Sequence, residues 1–387
     1  MKTYITSESV TEGHPDKICD QISDAILDKL IAQDSNSRVA VETLVTTGSV
    51  HVAGEVTSEG FADIHEVVRN TLKRIGYNDP EFGMDYEDTG VWVSIHSQSP
   101  DISQGVNEKT NGEQKEQGAG DQGMMYGFAC NETPELMPMP IVYAHKLAKA
   151  LAALRRSGAL NKGLGPDGKT QVTVEYENGK PKRIDTIVVA QQHKKQVSEN
   201  KLRKEIYKKV IVPVCGKLID KQTKIHINAT GRFVIGGPEG DTGLTGRKII
   251  VDSYGGVGRV GGGCFSGKDP SKVDRSGAYI ARHIAKNIVA ARLAEKCEIQ
   301  ISYAIGIAKP VSIHIDCFNT NKIPEEQIRK IVVETFDLRP KAVIEYLDLK
   351  KPIYEKTASY GHFGRAEFSW EKTNKAEELR RKAGLLN

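Results

Sequence analysis

Hydrophobic residues alternate along the chain between helical spacing and strand spacing. After Pro15, which suits the first position of a helix, apolar residues recur with helical period at Ile18, Ile22, Ala25, Ile26 and Leu30. Further helices are predicted over 64–75, where Gly76 forms a cap, and over 140–154, 198–210, 269–296 and 324–335. Strands are predicted over 38–45, 49–56, 91–95, 171–176, 186–190, 298–307 and 311–317. This mixture predicts an α+β fold with mixed or antiparallel sheets rather than a doubly wound one.

The periodic pattern stops between Gln98 and Gly123, where the residues are mostly Gln, Ser, Asp, Asn, Glu and Gly. This stretch is longer than an ordinary connection, which is typical of a lid or a mobile binding loop. It is also a candidate domain boundary. At about 150 residues per domain, the 387 residues predict two or three domains.

The overall charge excludes some classes of function. Lys and Arg total 54 against 50 for Asp and Glu, and the net charge of +4 is too small to indicate nucleic acid or an anionic membrane as a partner. No apolar run approaches the ~20 residues of a membrane span, and an acidic residue, Glu8, precedes any hydrophobic stretch typical of a signal peptide. The six cysteines are scattered, which favours reduced thiols. We therefore expect a cytoplasmic globular protein.

Residues 231–277 hold 14 of the 37 glycines of the chain. Basic residues are interleaved with them or follow closely, namely Arg232, Arg247, Lys248, Arg259, Lys268, Lys272, Arg275 and Arg282. Glycines let backbone N–H groups approach a ligand, and Arg and Lys neutralise it, so the segment indicates a site for several phosphates. The alternative is a set of glycine-rich turns with solvated charges.

One part of this segment comes close to a P-loop. Residues 262–268 have the spacing G-x-x-x-x-G-K, but Asp269 follows where a P-loop has Ser or Thr. The hydroxyl that would bind the metal is missing, so we reject the P-loop and keep Lys268 as a phosphate ligand. Residues 255–259 are likewise rejected as a dinucleotide fingerprint, because neither the acidic partner nor a βαβ frame is evident.

His14 and Asp16 stand at the start of the first predicted helix, where anions and metals are favoured. A simple helix cap would explain Pro15 and Asp16 but not His14.

Three more residues have two interpretations each. Glu42 lies in a strand that is apolar on both faces, which predicts either a metal or a buried ion pair as its partner. Glu55 shares a strand face with His51 and is either an exposed carboxylate or a ligand. Cys264 is either a small hydrophobic residue beside the glycines or a part of the site.

Several runs resemble the signatures of the S-adenosylmethionine synthetases, also called methionine adenosyltransferases. They are GHPDK at 13–17, GAGDQG at 118–123, GRFVIGGP at 231–238, GRK at 246–248, the run 261–274, and YGHFGR at 360–365. The resemblance covers essentially the whole chain.

This resemblance implies three similar α+β domains in a pseudo-threefold arrangement, each a mixed or antiparallel sheet covered by helices. We expect the domains at 1–101, 114–232 and 233–387, with a mobile gate at 98–113 and possible interleaving across these boundaries. The family joins ATP to L-methionine: the sulfur attacks the ribose 5′ carbon and displaces tripolyphosphate, which is then cleaved to pyrophosphate and phosphate. The resemblance also implies two Mg²⁺ ions per site and K⁺ as cofactors. It further implies a homotetramer built as a dimer of dimers, with active sites at the dimer interface.

The resemblance further implies roles for individual residues. The catalytic set, which stabilises the leaving polyphosphate, is His14, Lys169, Arg247, Lys248 and Lys268. The other ATP contacts are Asp167, Arg232, Phe233, Asp241 and Cys264, the last standing where many family members have alanine. The methionine pocket is Glu55, Gln98, Asp121, Asp241 and Lys272. The metal ligands are Asp16 and Asp274 for Mg²⁺ and Glu42 for K⁺.

Two other functions compete with this interpretation. A kinase or P-loop-like ATP hydrolase would yield ADP, and Asp269 argues against it. A nucleic-acid binder would use the basic glycine-rich segment, but the net charge of +4 and the 6% aromatic content argue against that.

Overall fold

The computed structural model describes residues 1–98 and 117–385. Its strands are β1 (Lys2–Val10), β2 (Arg38–Thr46), β3 (Ser49–Thr57), β4 (Asn78–Asp79), β5 (Met84–Asp85), β6 (Gly90–His96), β7 (Gly123–Cys130), β8 (Leu164–Glu177), β9 (Lys180–His193), β10 (Lys224–Ile227), β11 (Gly243–Leu244), β12 (Lys296–Tyr303) and β13 (Ser312–Asp316). Its α-helices are α1 (Pro15–Ile31), α2 (Ile64–Ile75), α3 (Met139–Arg156), α4 (Ala159–Lys162), α5 (Glu199–Ile206), α6 (Val212–Cys215), α7 (Ile249–Asp252), α8 (Val273–Ala290), α9 (Glu325–Thr335), α10 (Pro340–Tyr346) and α11 (Ala376–Lys382).

These strands form three main sheets and the small hairpin β4–β5. The first sheet has the order β1-β8-β9-β10, and only its β9–β10 pair is parallel. The second has the order β11-β2-β3-β6, with β3 and β6 parallel. The third, β13-β12-β7, is antiparallel. The predicted α+β class with mixed and antiparallel sheets is confirmed.

A long helix packs on each main sheet: α3 on the first, α1 on the second and α8 on the third. One apolar core runs continuously beneath the second and third sheets, and a separate core lies between the first sheet and its helices. Each sheet combines strands from two of the three chain segments expected as domains, as when β1 pairs with β8 and β7 with β12. The domain boundaries themselves stay a prediction.

The caps that the sequence predicts for the first two helices are present. His14 is the N-cap of α1, with Pro15 at the first helical position. Gly76 ends α2 at φ 110°, a left-handed conformation that favours glycine.

Three predicted elements differ from the structure, two in where they begin or end and one in the type of helix. The helix predicted over 269–296 is shorter, from Val273 to Ala290, because the Asp269 carboxylate holds a turn by accepting from Ser271 N, and Arg292 turns left-handed at φ 59°. The helix predicted over 198–210 passes into a π-helical turn over Tyr207–Ile211. The strand predicted over 298–307 ends at Tyr303.

Most of the predicted gate, 98–113, lies outside the described residues, and only Gln98 is inside them. Within residues 1–98 and 117–385 no helix is long and apolar enough to cross a membrane.

Candidate active site

The edge of β2 that faces away from β3 is bordered by two glycine-rich loops. We call residues 245–248 the first loop and residues 264–268 the second loop. In the first loop, Thr245 N donates to Thr43 O at 3.0 Å, directly after the pairing of β11 with β2. In the second loop, Gly267 O accepts from Val41 N at 3.0 Å. The loop residues 245–248 and 267–268 therefore lie side by side along one strand, which brings together basic residues predicted from separate motifs.

His14 is buried beneath these loops, with a side chain 1% exposed. Its Nδ1 accepts from Asp16 N at 3.2 Å. Burial, together with the charges of Lys248 and Lys169, lowers the pKa of His14 to about 3. The imidazole is therefore neutral, and because Nδ1 accepts a hydrogen bond, the proton is on Nε2, which can donate to an oxygen.

Asp16 joins the start of α1 to the first loop. Its Oδ1 accepts from Leu244 N at 3.0 Å, and its Oδ2 accepts from Lys248 Nζ at 2.6 Å. Although burial opposes the shift, these two hydrogen bonds lower the pKa of Asp16. Arg247 lies farther from this carboxylate, at 3.9 Å, with half its side chain exposed. The aspartate is thus ionised and flanked by two cations.

Lys268 and Asp274 form a second pair of the same kind. Lys268 Nζ donates to Asp274 Oδ2 at 2.6 Å, and both side chains are about one fifth exposed. Burial opposes the shift, but Cys264 and Asp274 raise the pKa of Lys268. Cys264 is partly buried against Gly246 of the first loop, so it joins the two loops, and burial raises its pKa. The thiol is protonated at neutral pH.

The first part of β8, where the register with β9 is irregular before Gly168, also borders the site. Gly13 packs against Pro166 so closely that a Cβ on it would lie 2.4 Å from the Pro166 carbonyl oxygen. This contact places exposed Lys169 near His14, where its charge acts on the imidazole. Asp167 is buried, accepts from Gly237 N at 2.9 Å, and has its pKa raised to about 6 by burial.

The residues assigned to the nucleotide lie beside this first part of β8. The backbone of Phe233 pairs with His193, donating to its Nε2 at 3.2 Å and accepting from its N at 2.8 Å. Arg232 and Asp241 are exposed, and the charge of Asp241 reaches the buried Asp167 carboxyl.

The residues assigned to methionine contact other partners in the described chain. Glu55 is 3.4 Å from His96 Nε2, Gln98 N donates to Thr57 Oγ1 at 3.3 Å, and Lys272 is paired with Asp269. Asp121 is exposed. Within residues 1–98 and 117–385, no hydrogen bond or ion pair joins any two of Glu55, Gln98, Asp121 and Lys272.

The predicted burial of Glu42 on both faces of its strand was wrong. Along β2, valines and Thr43 are buried, whereas the alternate positions, which include Glu42, are partly or fully exposed. The register places Leu44, His51 and Trp92 in one row of this open face, and Ala40, Glu55 and His96 in another. Glu42 therefore stands on an open sheet face in the single chain.

The carboxylates beside the basic loops belong to no preformed metal site in the described part of the chain. Within the described residues, no group of three or more His, Cys, Asp or Glu side chains could hold a metal ion. Mg²⁺ commonly binds one or two carboxylates together with substrate phosphates and water. Asp16 and Asp274 each offer one ionisable carboxylate beside a basic loop, so they fit a magnesium that also binds phosphate.

Asp269, the residue that argued against a P-loop, is structural. Its fully buried carboxylate accepts from Val39 N at 2.7 Å and from Ser271 N at 2.9 Å. It therefore anchors the second loop to β2, and it also pairs with Lys272.

Three family models match the chain: the N-terminal domain of S-adenosylmethionine synthetase over residues 2–100, the central domain over 116–233 and the C-terminal domain over 235–372. The chain is 62% identical over 383 residues to S-adenosylmethionine synthase of Desulfosudis oleivorans, covering 98% of each chain. It is 59% identical to the synthase of Sorangium cellulosum, covering 98% of this chain and 90% of that one. It is 57% identical to the synthase of Roseiflexus castenholzii, with 99% and 98% covered.

Proposed function

The chain belongs to the S-adenosylmethionine synthetase family, and from this premise we propose how its residues carry out the reaction. It makes S-adenosylmethionine from ATP and methionine. The observation that supports the following mechanism best is the cluster of His14, Lys248 and Lys268 where two loops border β2.

The basic residues hold the triphosphate of ATP. Lys169, Arg247, Lys248 and Lys268 bring four cations to the site, and each of the latter three lies within 4 Å of a carboxylate. When ATP enters, the ammonium groups turn to the phosphate oxygens and neutralise the charge that develops on the leaving tripolyphosphate.

His14 acts on the oxygen at which the bond breaks. Its neutral ring donates the Nε2 proton as a hydrogen bond to the ribose 5′ oxygen or the adjoining phosphate. A neutral donor holds this oxygen without requiring a proton to be taken up from solvent.

The methionine sulfur needs no general base, because a thioether has no proton to lose. The barrier falls by aligning the sulfur with the ribose carbon and by stabilising the leaving group. Glu55, Asp121 and Asp241 would bind the ammonium of methionine and Lys272 its carboxylate, with Gln98 beside them. Arg232, Phe233, Asp167 and Cys264 would line the nucleotide subsite.

Asp16 and Asp274 would hold two Mg²⁺ ions, and Glu42 would hold K⁺. Bound magnesium supplies positive charge to the phosphate oxygens, and the tripolyphosphate is then hydrolysed to pyrophosphate and phosphate.

A second copy of the chain would complete the site. Glu42 and Glu55 stand on the open face of the second sheet beside Ala53, Leu44 and Trp92, and Trp92 is 63% exposed. An open sheet face of this kind is typical of an interface between subunits. Two such dimers would form the tetramer, working in the cytoplasm and without nucleic acid as a partner.

Product analysis tests this function. The purified chain is incubated with ATP, Mg²⁺ and K⁺, with and without methionine, and the products are quantified by mass spectrometry. Methionine-dependent S-adenosylmethionine with equal phosphate and pyrophosphate is the expected result. ADP with phosphate and no sulfonium product would instead support the kinase or hydrolase interpretation.

A further inference from the structure

Helix α1 carries a row of four aspartates at intervals of four residues, Asp16, Asp20, Asp24 and Asp28, which we call the aspartate row. Residues four apart lie on one face of a helix. Each member accepts hydrogen bonds from backbone N–H groups of a segment far away in sequence. Sequence analysis identified only Asp16, although the period of four is visible in the sequence.

Asp20 holds the first phosphate-binding loop. Its Oδ1 accepts from Gly246 N at 2.8 Å, and Lys17 Nζ lies 3.0 Å from its Oδ2. Gly246 has φ 79°, and a Cβ on it would lie 2.6 Å from Cys264 Cβ, so the backbone has one narrow conformation here. The next two residues are Arg247 and Lys248. The direction in which they leave the loop is therefore set by the bond to Asp20.

Asp24 holds the second loop in the same way. Its Oδ1 accepts from Gly267 N at 2.9 Å, and Gly267 is again left-handed, at φ 81°, with only 2.0 Å between a built Cβ and Val41 O. Arg275 donates to both oxygens of Asp24, at 2.6 and 2.9 Å, and to Lys268 O at 3.1 Å. The backbone of Lys268 is thus fixed from both sides by one buried ion pair.

We propose that Asp20 and Asp24 are positioning residues, which hold the N–H groups of two left-handed glycines and thereby aim Arg247, Lys248 and Lys268 at the polyphosphate. Both aspartates are fully buried, so their carboxylates are not exposed to a ligand that binds at the surface of the chain. The proposal rests on the proposed phosphate-binding role of the three basic residues. Small errors in the placement of such groups lower the reaction rate strongly. Buried residues that fix this placement therefore contribute to the rate without contacting the substrate.

The fourth member of the row provides a matched control. Asp28 accepts from Tyr354 N and Glu355 N, both at 2.9 Å, so it makes bonds of the same kind to a segment that contains neither loop glycine. Because Tyr354 lies against Arg275, which binds Asp24, Asp28 is a matched control for Asp20 and not for Asp24. Replacing Asp28 removes similar hydrogen bonds from the same helix without touching either loop.

The test measures binding of inorganic tripolyphosphate with Mg²⁺ by calorimetry, and KM for ATP and for methionine. Asp20→Ala is expected to weaken tripolyphosphate binding and raise KM for ATP about tenfold, the effect of one lost hydrogen bond to a charged group. KM for methionine should stay unchanged. Asp20→Asn retains an oxygen for Gly246 N and should recover most of the affinity, and Asp28→Ala should bind as the unchanged chain does. In the double variant with Lys248→Ala, Asp20→Ala should add little further loss.

If Asp20→Ala and Asp28→Ala lose the same affinity for tripolyphosphate, the proposal is overturned, because equal losses would indicate general destabilisation of the chain. If Arg247→Ala and Lys268→Ala bind tripolyphosphate more weakly while Asp20→Ala binds it normally, only the positioning role of Asp20 fails. If Arg247→Ala and Lys268→Ala also bind tripolyphosphate normally, the phosphate-binding assignment itself fails. Hydrogen exchange in the unchanged chain covers the case in which Asp20→Ala does not fold. The amides of Gly246 and Gly267 should exchange slowly, and exchange as fast as in exposed loop residues would overturn the proposal.

Discussion

Lys268 and Asp274 lie 2.6 Å apart, nitrogen to oxygen, and Lys248 repeats this relationship with Asp16 at the same distance. In each pair a residue assigned to phosphate is bound to a residue assigned to magnesium. Each of these charges is thus neutralised by a group that would stand next to it in the proposed site. On the proposed assignment, binding of ATP with magnesium would exchange these partners, so little isolated charge would have to be desolvated.

Replacing Lys268 by Ala should lower kcat about 10²- to 10³-fold, the usual effect of removing one group that stabilises a transition state. Folding should persist, because both members of the Lys268–Asp274 pair are partly exposed. Product formation and the thermal unfolding midpoint are the measurements. Lys351→Ala, which removes an exposed lysine from its pair with Asp348, is the control and should retain full activity. Full activity in Lys268→Ala would remove Lys268 from the site.

Asp16→Asn should raise the concentration of Mg²⁺ needed for half-maximal rate and lower the rate at saturation. The asparagine oxygen can still accept from Leu244 N, so the first loop should stay in place. The check is a titration of the rate with Mg²⁺ at fixed ATP. A Mg²⁺ dependence identical to that of the unchanged chain would contradict the assignment of Asp16 as a magnesium ligand.

The chain should lose stability as pH falls below about 6.5, the usual histidine pKa. Burial lowers the pKa of His145 to about 3 and that of His283 to about 4. Between these values and 6.5 the unfolded chain binds protons that the folded chain does not, so each histidine costs up to about 1.4 kcal/mol per pH unit. Urea unfolding of the unchanged chain and His283→Gln at pH 7.5 and 5 tests this. The variant should lose less stability on acidification. If the unchanged chain and His283→Gln lose the same free energy of unfolding between pH 7.5 and 5, the pKa of His283 is not lowered in the folded chain.

Ala53→Arg should abolish association of two chains and lower activity. Ala53 is exposed at the centre of the open face, level with Glu42 and Ser94, so the single chain accommodates the arginine. Sedimentation velocity gives the association state. Gln222→Arg, at an exposed position before β10, is the control and should associate normally. A dimeric, active Ala53→Arg would place the interface elsewhere.

Helices and strands were predicted correctly where a local signal in the sequence marked them. Pro15 and Gly76 marked helix ends, and the two strand-like segments on either side of Thr47-Gly48 gave β2 and β3 within one residue. The end of the helix predicted to reach residue 296 was missed, because apolar spacing continues past Ala290 while a left-handed turn at Arg292 breaks the helix.

The residues of the site were likewise predicted only where a local motif marked them. His14 and Lys268 stood out through their motifs, but the exposure of Glu42 depends on which face of the sheet is covered, and this is a tertiary property. Asp20 and Asp24 were missed because buried aspartates on an amphipathic helix look like ordinary polar positions until their glycine partners are placed.

The most direct test of the mechanism is the order in which products form in a single turnover. Enzyme in excess over ATP is mixed with methionine, Mg²⁺ and K⁺, quenched at short times, and analysed for S-adenosylmethionine and all phosphate species. If the sulfur displaces the whole triphosphate, S-adenosylmethionine and tripolyphosphate appear at one rate, and phosphate and pyrophosphate follow. Phosphate released before any S-adenosylmethionine, with ADP as its partner, would contradict displacement at the ribose 5′ carbon.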